Sequence, residues 1–397
     1  MRISTAALHQ QGIANILRNQ TALSKTQNEL ALGTRITRAS DNPGDWARAS
    51  RLDQRLSELA RYNDNAVAAR HRLGLEETAL AAATDTLNRV RELALQANGG
   101  IQSGDSRQAI ALELQSRLQE LLAIANSDDG SGRFLFGGTA DGGAPFSLDV
   151  SGATYSGSAQ VREIEIGPER ALALGDAGSA VFQALLSGNG AFAVSADAGN
   201  AGGAYLTQAR LADAGAWDGG GYTLSFAAGQ YEVRDAGNAL VASGAYSAGT
   251  AIRFRGVDLT LTGAPADGDR FQVAPGTSQD LFALVQKVTG LVDTDPQTES
   301  ARALNHTAFF GALEELDAAL SHLSNLRGTV GNRLGAIDSS EAQLAALDLQ
   351  AQETLSGLRD LDYAEAVGRL NLQMTALQAA QQSYSRIQGM SLFDYLR

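Results

Sequence analysis

An apolar residue returns every seven positions, without a miss, along two stretches near opposite ends of this chain. Leu52, Leu59, Ala66, Leu73, Leu80, Leu87 and Ala94 form the first line; Phe309, Leu316, Leu323, Val330, Ile337, Leu344, Ala351 and Leu358 form the second. A repeat held this long predicts helices packed lengthwise against other long helices. The prolines agree. All six lie at 43, 145, 168, 265, 275 and 296, which leaves 44–144 and 297–397 without one, and a proline inside a helix removes a hydrogen bond and clashes with the preceding turn. A partial second line, Leu313, Leu320 and Leu334, accompanies the C-terminal repeat and is interrupted by Arg327. Residues 105–127 set Ile110, Leu114, Leu118, Leu121 and Leu122 on one face and predict a third helix. These stripes read as packing residues rather than as the lining of a cofactor site.

The middle of the chain is a different material. Of 43 glycines, 28 lie between 130 and 280, too many for a helical segment, since each costs about 1 kcal/mol relative to alanine there. YTLSF (222–226), QYEVR (230–234), AIRFRGVDLTLTG (251–263) and DRFQV (269–273) alternate polar with β-branched or aromatic residues and read as strands. Asp218-Gly219-Gly220, Gly237-Asn238 and Asp267-Gly268 are the turns between them. The expectation is a mainly α protein with an inserted all-β domain, its two ends joined in a long antiparallel helical bundle or coiled coil. Both chain ends then lie at the same end of the molecule. Charge follows the division: residues 1–130 hold 15 basic and 15 acidic groups, 131–296 hold 9 and 17, and 297–397 hold 7 and 12. The insert carries most of the acidity, as suits a solvated surface.

Between the first helical stretch and the heptads stands a firm break, SDNPGDW. Gly33 suits a helix C-cap, Asn42 an N-cap, Pro43 the first helical position and Asp45 the third, where a carboxylate meets free backbone N–H groups. The break sets apart an N-terminal arm, 1–42, which is matched at the other end by 366–397. Residues 1–28 and 366–393 contain no Asp or Glu. Each arm has an apolar stripe diluted with glutamine: Ile13, Ile16, Gln20, Leu23, Gln27 and Leu30, then Val367, Leu370, Met374, Leu377, Gln381 and Tyr384. Leu392 and Phe393 add an apolar tip. Glutamine at seam positions weakens a coiled coil, and helices this short are marginal alone. The arms are therefore expected to be loose in a free subunit and to order where a partner supplies the missing surface. The layout that follows is 1–42 with 366–397 as terminal coiled-coil arms, 43–130 with 297–365 as a helical core, and 131–296 as the β-rich insert.

Chemistry is scarce. The four histidines, His9, His71, His306 and His322, form no pair at helical ligand spacing, and there is no cysteine, so thiolate metal sites and disulfides are excluded. GNGAFA (188–193) fits a loose dinucleotide pattern, but Gln208 and Ala209 stand where its acidic residue belongs, and it reads as a loop. DDGSG (128–132) reads as the turn ending the third helix. A formal net charge of -13 argues against nucleic acid. No apolar run approaches the ~20 residues of a membrane span, and MRISTAALHQQ shows no apolar core of a signal peptide. The chain is expected to be no enzyme and to use no cofactor.

The residues MRISTAALHQQGI (1–13), LSKTQNELALGTRITRASDNP (23–43) and LGLEETALAAATDTLNRVRELALQANGG (73–100) closely resemble the hook-associated protein 3 (FlgL) family of flagellin-like proteins. So do GRFLFGGT (132–139), GDRFQVAP (268–275) and LRDLDYAEAVGRLNLQMTALQAAQQSYSRIQGMSLFDYL (358–396). The likeness is looser from about 150 to 250. It implies a structural part of the bacterial flagellum at the junction of hook and filament. It implies terminal helices forming an inner tube through Ile13, Ile16, Leu23, Leu30, Val367, Leu370, Met374, Leu377, Tyr384, Leu392 and Phe393, within the heptad helices and an outward β domain. The implied partners are further copies in a ring, hook-associated protein 1 on the hook side, flagellin on the filament side, and a cytoplasmic export chaperone at the C-terminal helix. The implied location is extracellular, reached by flagellar export without a cleaved signal. A filament flagellin with a small outer domain is the alternative, although the ends MRIST and MSLFDYLR differ from those expected of one; a coiled-coil surface adhesin is a more distant one, lacking a visible signal or anchor.

Overall fold

The computed structural model describes residues 5–99, 103–140, 142–149 and 152–389. Three helices open the chain: α1 (Thr5–Leu32), α2 (Pro43–Asn98) and α3 (Gly104–Ala125). Two hairpins follow, β1 (Phe146–Asp149) with β2 (Gly152–Tyr155) and β3 (Glu163–Gly167) with β4 (Arg170–Ala173), then the short α4 (Gly178–Phe182). Next come β5 (Leu185–Leu186), β6 (Phe192–Ala196), β7 (Tyr205–Leu211), β8 (Tyr222–Ala227), β9 (Gln230–Asp235) and β10 (Leu240–Ala245). After β11 (Ala251–Phe254), β12 (Val257–Thr262), β13 (Arg270–Pro275) and β14 (Ser278–Gln279), the chain returns to helix in α5 (Leu281–Asp293), α6 (Glu299–Arg359) and α7 (Tyr363–Gly389). It divides into two compact units, Met1–Asp64 with Ser340–Arg397, and Asn65–Ser339; both divisions fall inside the long helices α2 and α6.

The heptad lines are the buried faces of those helices. Every member from Leu59 to Ala94 and from Phe309 to Ala351 is buried; only the terminal Leu52 and Leu358 are half-buried. In the larger unit, Leu73, Leu80 and Leu87 of α2 share one core with Leu114 and Leu121 of α3, Leu284 and Val288 of α5, and Leu316 and Leu323 of α6. The interrupting Arg327 is accounted for: its Nε and Nη2 donate to Glu77 Oε1 of α2 at 2.8 and 2.7 Å. In the smaller unit, Leu59 and Tyr62 of α2 pack with Leu344 of α6.

The glycine-rich stretch forms a five-stranded antiparallel sheet, β10-β9-β8-β13-β6, and a three-stranded sheet, β11-β12-β7. Leu206, Leu224, Val233, Leu259 and Phe271 close a second core between strands. AIRFRGVDLTLTG, an unbroken alternation in sequence, is a hairpin: β11 pairs with β12 in register Phe254↔Val257, and the two turn residues Arg255 and Gly256 take φ of 44° and 77°, as a type I′ turn needs. The insert also holds helix, which its turn signals did not suggest. Asp280 caps α5 by accepting from Phe282 N at 2.6 Å, and α5 buries Leu281, Phe282, Leu284, Val285, Val288 and Val292 in the helical core. Neighbouring residues of α6 serve different cores, with Phe309 in the first and Phe310 against the second. Thr307 Oγ1 of α6 accepts from Leu206 N of β7 at 3.1 Å.

Candidate assembly interface

The smaller unit is built around the break. α1 ends at Leu32, and Gly33 follows with φ 68°, a left-handed value that costs other residues about 1 kcal/mol or more. Pro43 opens α2. Asn42 Oδ1 accepts from Asp45 N at 3.1 Å, and Asn42 Nδ2 donates to Asp45 Oδ2 at 2.6 Å, a reciprocal cap. A side-chain cap, one-way here, also opens α7, where Asp362 Oδ1 accepts from Ala364 N at 2.9 Å and Glu365 N at 3.1 Å.

α1 and α7 pair antiparallel. Tyr384 lies over Gly12, where a Cβ would stand 2.8 Å from the ring, so a larger residue cannot be placed without moving the tyrosine. Further along, Glu29 meets Arg369 at 3.1 Å, and at the break Thr34 and Asp360 form a β-bridge. The pairing splits each stripe into two lines. Ile16, Leu23 and Leu30 on α1, and Leu370, Leu377 and Tyr384 on α7, are half-buried. Ile13 (46% exposed) on α1, with Val367 (46%) and Met374 (45%) on α7, stays open, together with Gln20, Gln27 and Gln381. Each line keeps a seven-residue period, and two helices side by side cover one line apiece. The other stays open to solvent. Leu392 and Phe393 lie outside the described residues.

Sequence reasoning did not single out several other exposed apolar residues of this unit: Leu17, Leu32, Leu349, Tyr363 and Leu372. Leu17 and Leu372 adjoin the stripes without fitting their spacing, and that misfit was the available signal. It also missed the buried polar groups. Glu29 is only 5% exposed, and Asp41 gathers Lys25 at 2.9 Å and the turn residues Thr37 and Arg38. The hydrogen bond from Lys25, with those from Thr37, holds the Asp41 carboxyl far below the usual carboxylate range.

Among the described residues, His306, His322 and the acidic turn are engaged locally. Among the described residues no three His, Asp or Glu side chains stand close enough to hold a metal. His306 Nδ1 lies 3.0 Å from Asn98 Oδ1, and His322 Nε2 lies 3.0 Å from Ala180 O. The carboxylates of DDGSG are engaged locally, Asp128 by Gly130 N at 2.7 Å and Asp129 by Ser131 N at 3.0 Å and Arg72 Nη1 at 2.9 Å. GNGAFA is a turn leading into β6. No described helix is long and apolar enough to cross a membrane.

Known families match these parts. Residues 3–141 match the bacterial flagellin N-terminal helical region, 313–396 the flagellin C-terminal helical region, and 195–275 the D2-like domain of flagellar hook-associated protein 1. The fold and its open terminal helices thus define a flagellin-like structural protein. Over 99% of both chains it is 23% identical to flagellar hook-associated protein 3 of Escherichia coli K12. The crystal structure of Xanthomonas campestris FlgL is 35% identical, covering 77% of this chain and 99% of that one, with a TM-score of 0.71. The flagellar junction protein FlgL of Legionella pneumophila is 28% identical over 78% of this chain and 99% of its own, also at 0.71. The chain belongs to the flagellar hook-associated protein 3 (FlgL) family.

Proposed function

We propose that this chain is a structural subunit of the bacterial flagellum that joins the hook side to the flagellin filament, and that it has no catalytic role. Family membership supplies the setting, since the Legionella relative is described as a flagellar junction protein. The observation that carries an assembly role is the open line of each terminal helix, Ile13 on α1 and Val367 with Met374 on α7, left uncovered when α1 and α7 pair. An open helical line with apolar members is the form a lengthwise helical neighbour recognises. The match of 195–275 to a domain of hook-associated protein 1 favours a junction protein over a filament flagellin.

In this reading 1–42 and 366–397 are the arms lining an inner tube, 43–130 and 297–365 the helical layer, and 131–296 the outward β-rich part. Copies form a ring, with hook-associated protein 1 on one side and flagellin on the other. The subunit is secreted through the flagellar export route without a cleaved signal. An export chaperone holds the C-terminal helix beforehand through Leu370, Met374, Leu377 and Tyr384. Leu370, Leu377 and Tyr384 are half-buried in the paired state, so the chaperone engages α7 before α1 does. The test is complementation of a strain lacking its own hook-associated protein 3. The chain should restore filaments on hooks and appear outside the cell only when flagellar export is intact. Hooks that stay bare in a strain exporting the chain normally would overturn the junction role.

A further inference from the structure

Both terminal helices meet the core helices through a break, and the two breaks are stitched together. Leu361 N donates to Gly33 O at 3.0 Å, Arg35 N to Arg359 O at 2.7 Å and Arg35 Nη2 to Leu358 O at 2.9 Å. Ile36 and Leu361 are buried beside these bonds. The stitched strands also reach α2 through two pairs, Arg35 to Asp45 at 3.6 Å and Arg359 to Asp53 at 3.7 Å. A segment read as a simple stop and restart is thus a built joint of two chain segments.

One carboxylate organises the N-terminal side of that joint. Asp41 Oδ2 accepts from Thr37 N at 3.2 Å, Thr37 Oγ1 at 3.0 Å and Arg38 N at 3.0 Å, which shapes the turn ahead of α2. Its Oδ1 lies 2.9 Å from Lys25 Nζ, back on the last turns of α1. Exposed ion pairs contribute about 0–1 kcal/mol because they are screened and must order two long side chains. Here one partner is already ordered: the Asp41 side chain is 16% exposed and fixed by three donors. Lys25 therefore meets a pre-placed charge, and the pair acts on direction more than on total stability.

We propose that Lys25 and Asp41 are positioning residues for assembly: their clasp fixes the direction in which α1, and α7 stitched to it, leave the start of α2. This rests on the reading of the terminal helices as the assembly surface, which the clasp residues themselves need not touch. An isolated helix is costly to nucleate, and a joint that holds the last turns of α1 and the first of α7 also gives each arm a fixed point from which to grow.

Hydrogen exchange of the free full-length chain, with filament attachment in complemented cells, tests this. Lys25→Met keeps the aliphatic stem and removes the ammonium. It should lower protection about two- to fivefold over 25–38 and 358–366, leave the amides around Leu80 and Leu323 unchanged, and reduce attachment. Lys25→Arg should restore both. Asp41→Asn, which keeps an acceptor for the turn but loses the charge, should resemble Lys25→Met. Unchanged exchange in Lys25→Met, or no protection over 25–38 in the unaltered chain, overturns the clasp. Lost protection with normal attachment overturns its positioning role. Val367→Asp with Met374→Asp separates the two readings: it alters the outer line alone, so normal attachment by that variant fails the assembly surface, while exchange still decides the clasp.

Discussion

Glu29 on α1 and Arg369 on α7 form an ion pair at 3.1 Å across 340 positions of the chain. The carboxylate is nearly buried in an arm whose first 28 residues carry no acid at all. Lys25 stands 4.0 Å away on its other side. A polar pair at one point of an apolar seam specifies register, because any slip leaves a desolvated charge without a partner.

Arg369→Met should loosen the α1–α7 pair by about 2 kcal/mol, since Glu29 keeps only the more distant Lys25. Exchange protection along α7 reads this directly. Adding Glu29→Gln should recover part of the loss by removing the stranded charge; a double variant worse than the sum of the singles would contradict the register role.

Leu323→Asp places a carboxylate in the centre of the helical core, where Leu323 is fully buried among α2, α3 and α6 residues. Several kcal/mol of destabilisation is expected, against a total of about 5–15 for a typical domain. Calorimetry should show a large fall in melting temperature. An unaltered melt would mean that the second heptad line is not a packing seam.

The two lines on the terminal helices should respond differently. Leu370→Asp with Leu377→Asp strikes the line that α1 half-covers, and should abolish α1–α7 pairing, chaperone capture and filament attachment together. Val367→Asp with Met374→Asp strikes the open line, and should remove attachment while circular dichroism of the free subunit stays unchanged. Both variants should keep the melting temperature of the Asn65–Ser339 unit. Each variant touches a chaperone anchor and each should cost motility, so circular dichroism and hydrogen exchange of the free subunit distinguish the cases; equal loss of helix and of protection on α1 in the two variants would remove the distinction between the lines.

One buried acid should contribute stability that falls with rising pH. Glu76 of α2 is 1% exposed. Its Oε1 accepts from Asp176 N at 2.8 Å, while Oε2 has no hydrogen-bond partner among the described residues. Burial, then the neighbouring Asp176 charge, pushes its pKa from an ordinary 4.5 up to about 8, against the opposing pull of the Asp176 N–H hydrogen bond and of Arg333 and Arg72. The folded state therefore holds a proton that the unfolded state releases above about 4.5. The contribution of Glu76 is fully present below about pH 4.5, declines by on the order of 3–5 kcal/mol in all as pH rises from about 4.5 to about 8, and is level beyond. Glu76→Gln carries no such proton. Its melting temperature should match the unaltered chain near pH 5 and exceed it at pH 9, and a gap that does not grow across that range would refute the assignment. The comparison isolates Glu76 from Glu314, whose pKa is also raised to about 8.

The repeating and punctuating features were legible before any fold was known. Seven-residue periods identify a buried helical line because they depend only on the helix's own geometry, and the lines from Leu59 to Ala94 and Phe309 to Ala351 are buried as their spacing requires. Asn42, Pro43 and Asp45 were readable for a similar reason: a cap is made by atoms within three residues of one another. The family likeness follows from the same end segments. The helix α5 was available too, in Asp280 before LFALVQKVTGLV, but the glycine and strand signals around it drew the whole stretch toward β.

What the tertiary structure alone decided is which surfaces meet. Periodicity placed Ile13 and Ile16 on one stripe, as it did Val367 and Leu370, yet only the register of α1 against α7 leaves Ile13 and Val367 open and half-covers their neighbours. The same holds for Glu29 with Arg369 and for Arg35 with Arg359, pairs separated by more than 300 residues. Even Lys25 and Asp41, close in sequence, are joined only because the turn at 37–38 folds back onto the carboxylate. Local φ and ψ preferences and side-chain periods act over a few residues and can be read from them. Pairing across the chain depends on where two helices come to rest against each other, and no short stretch of sequence carries that register.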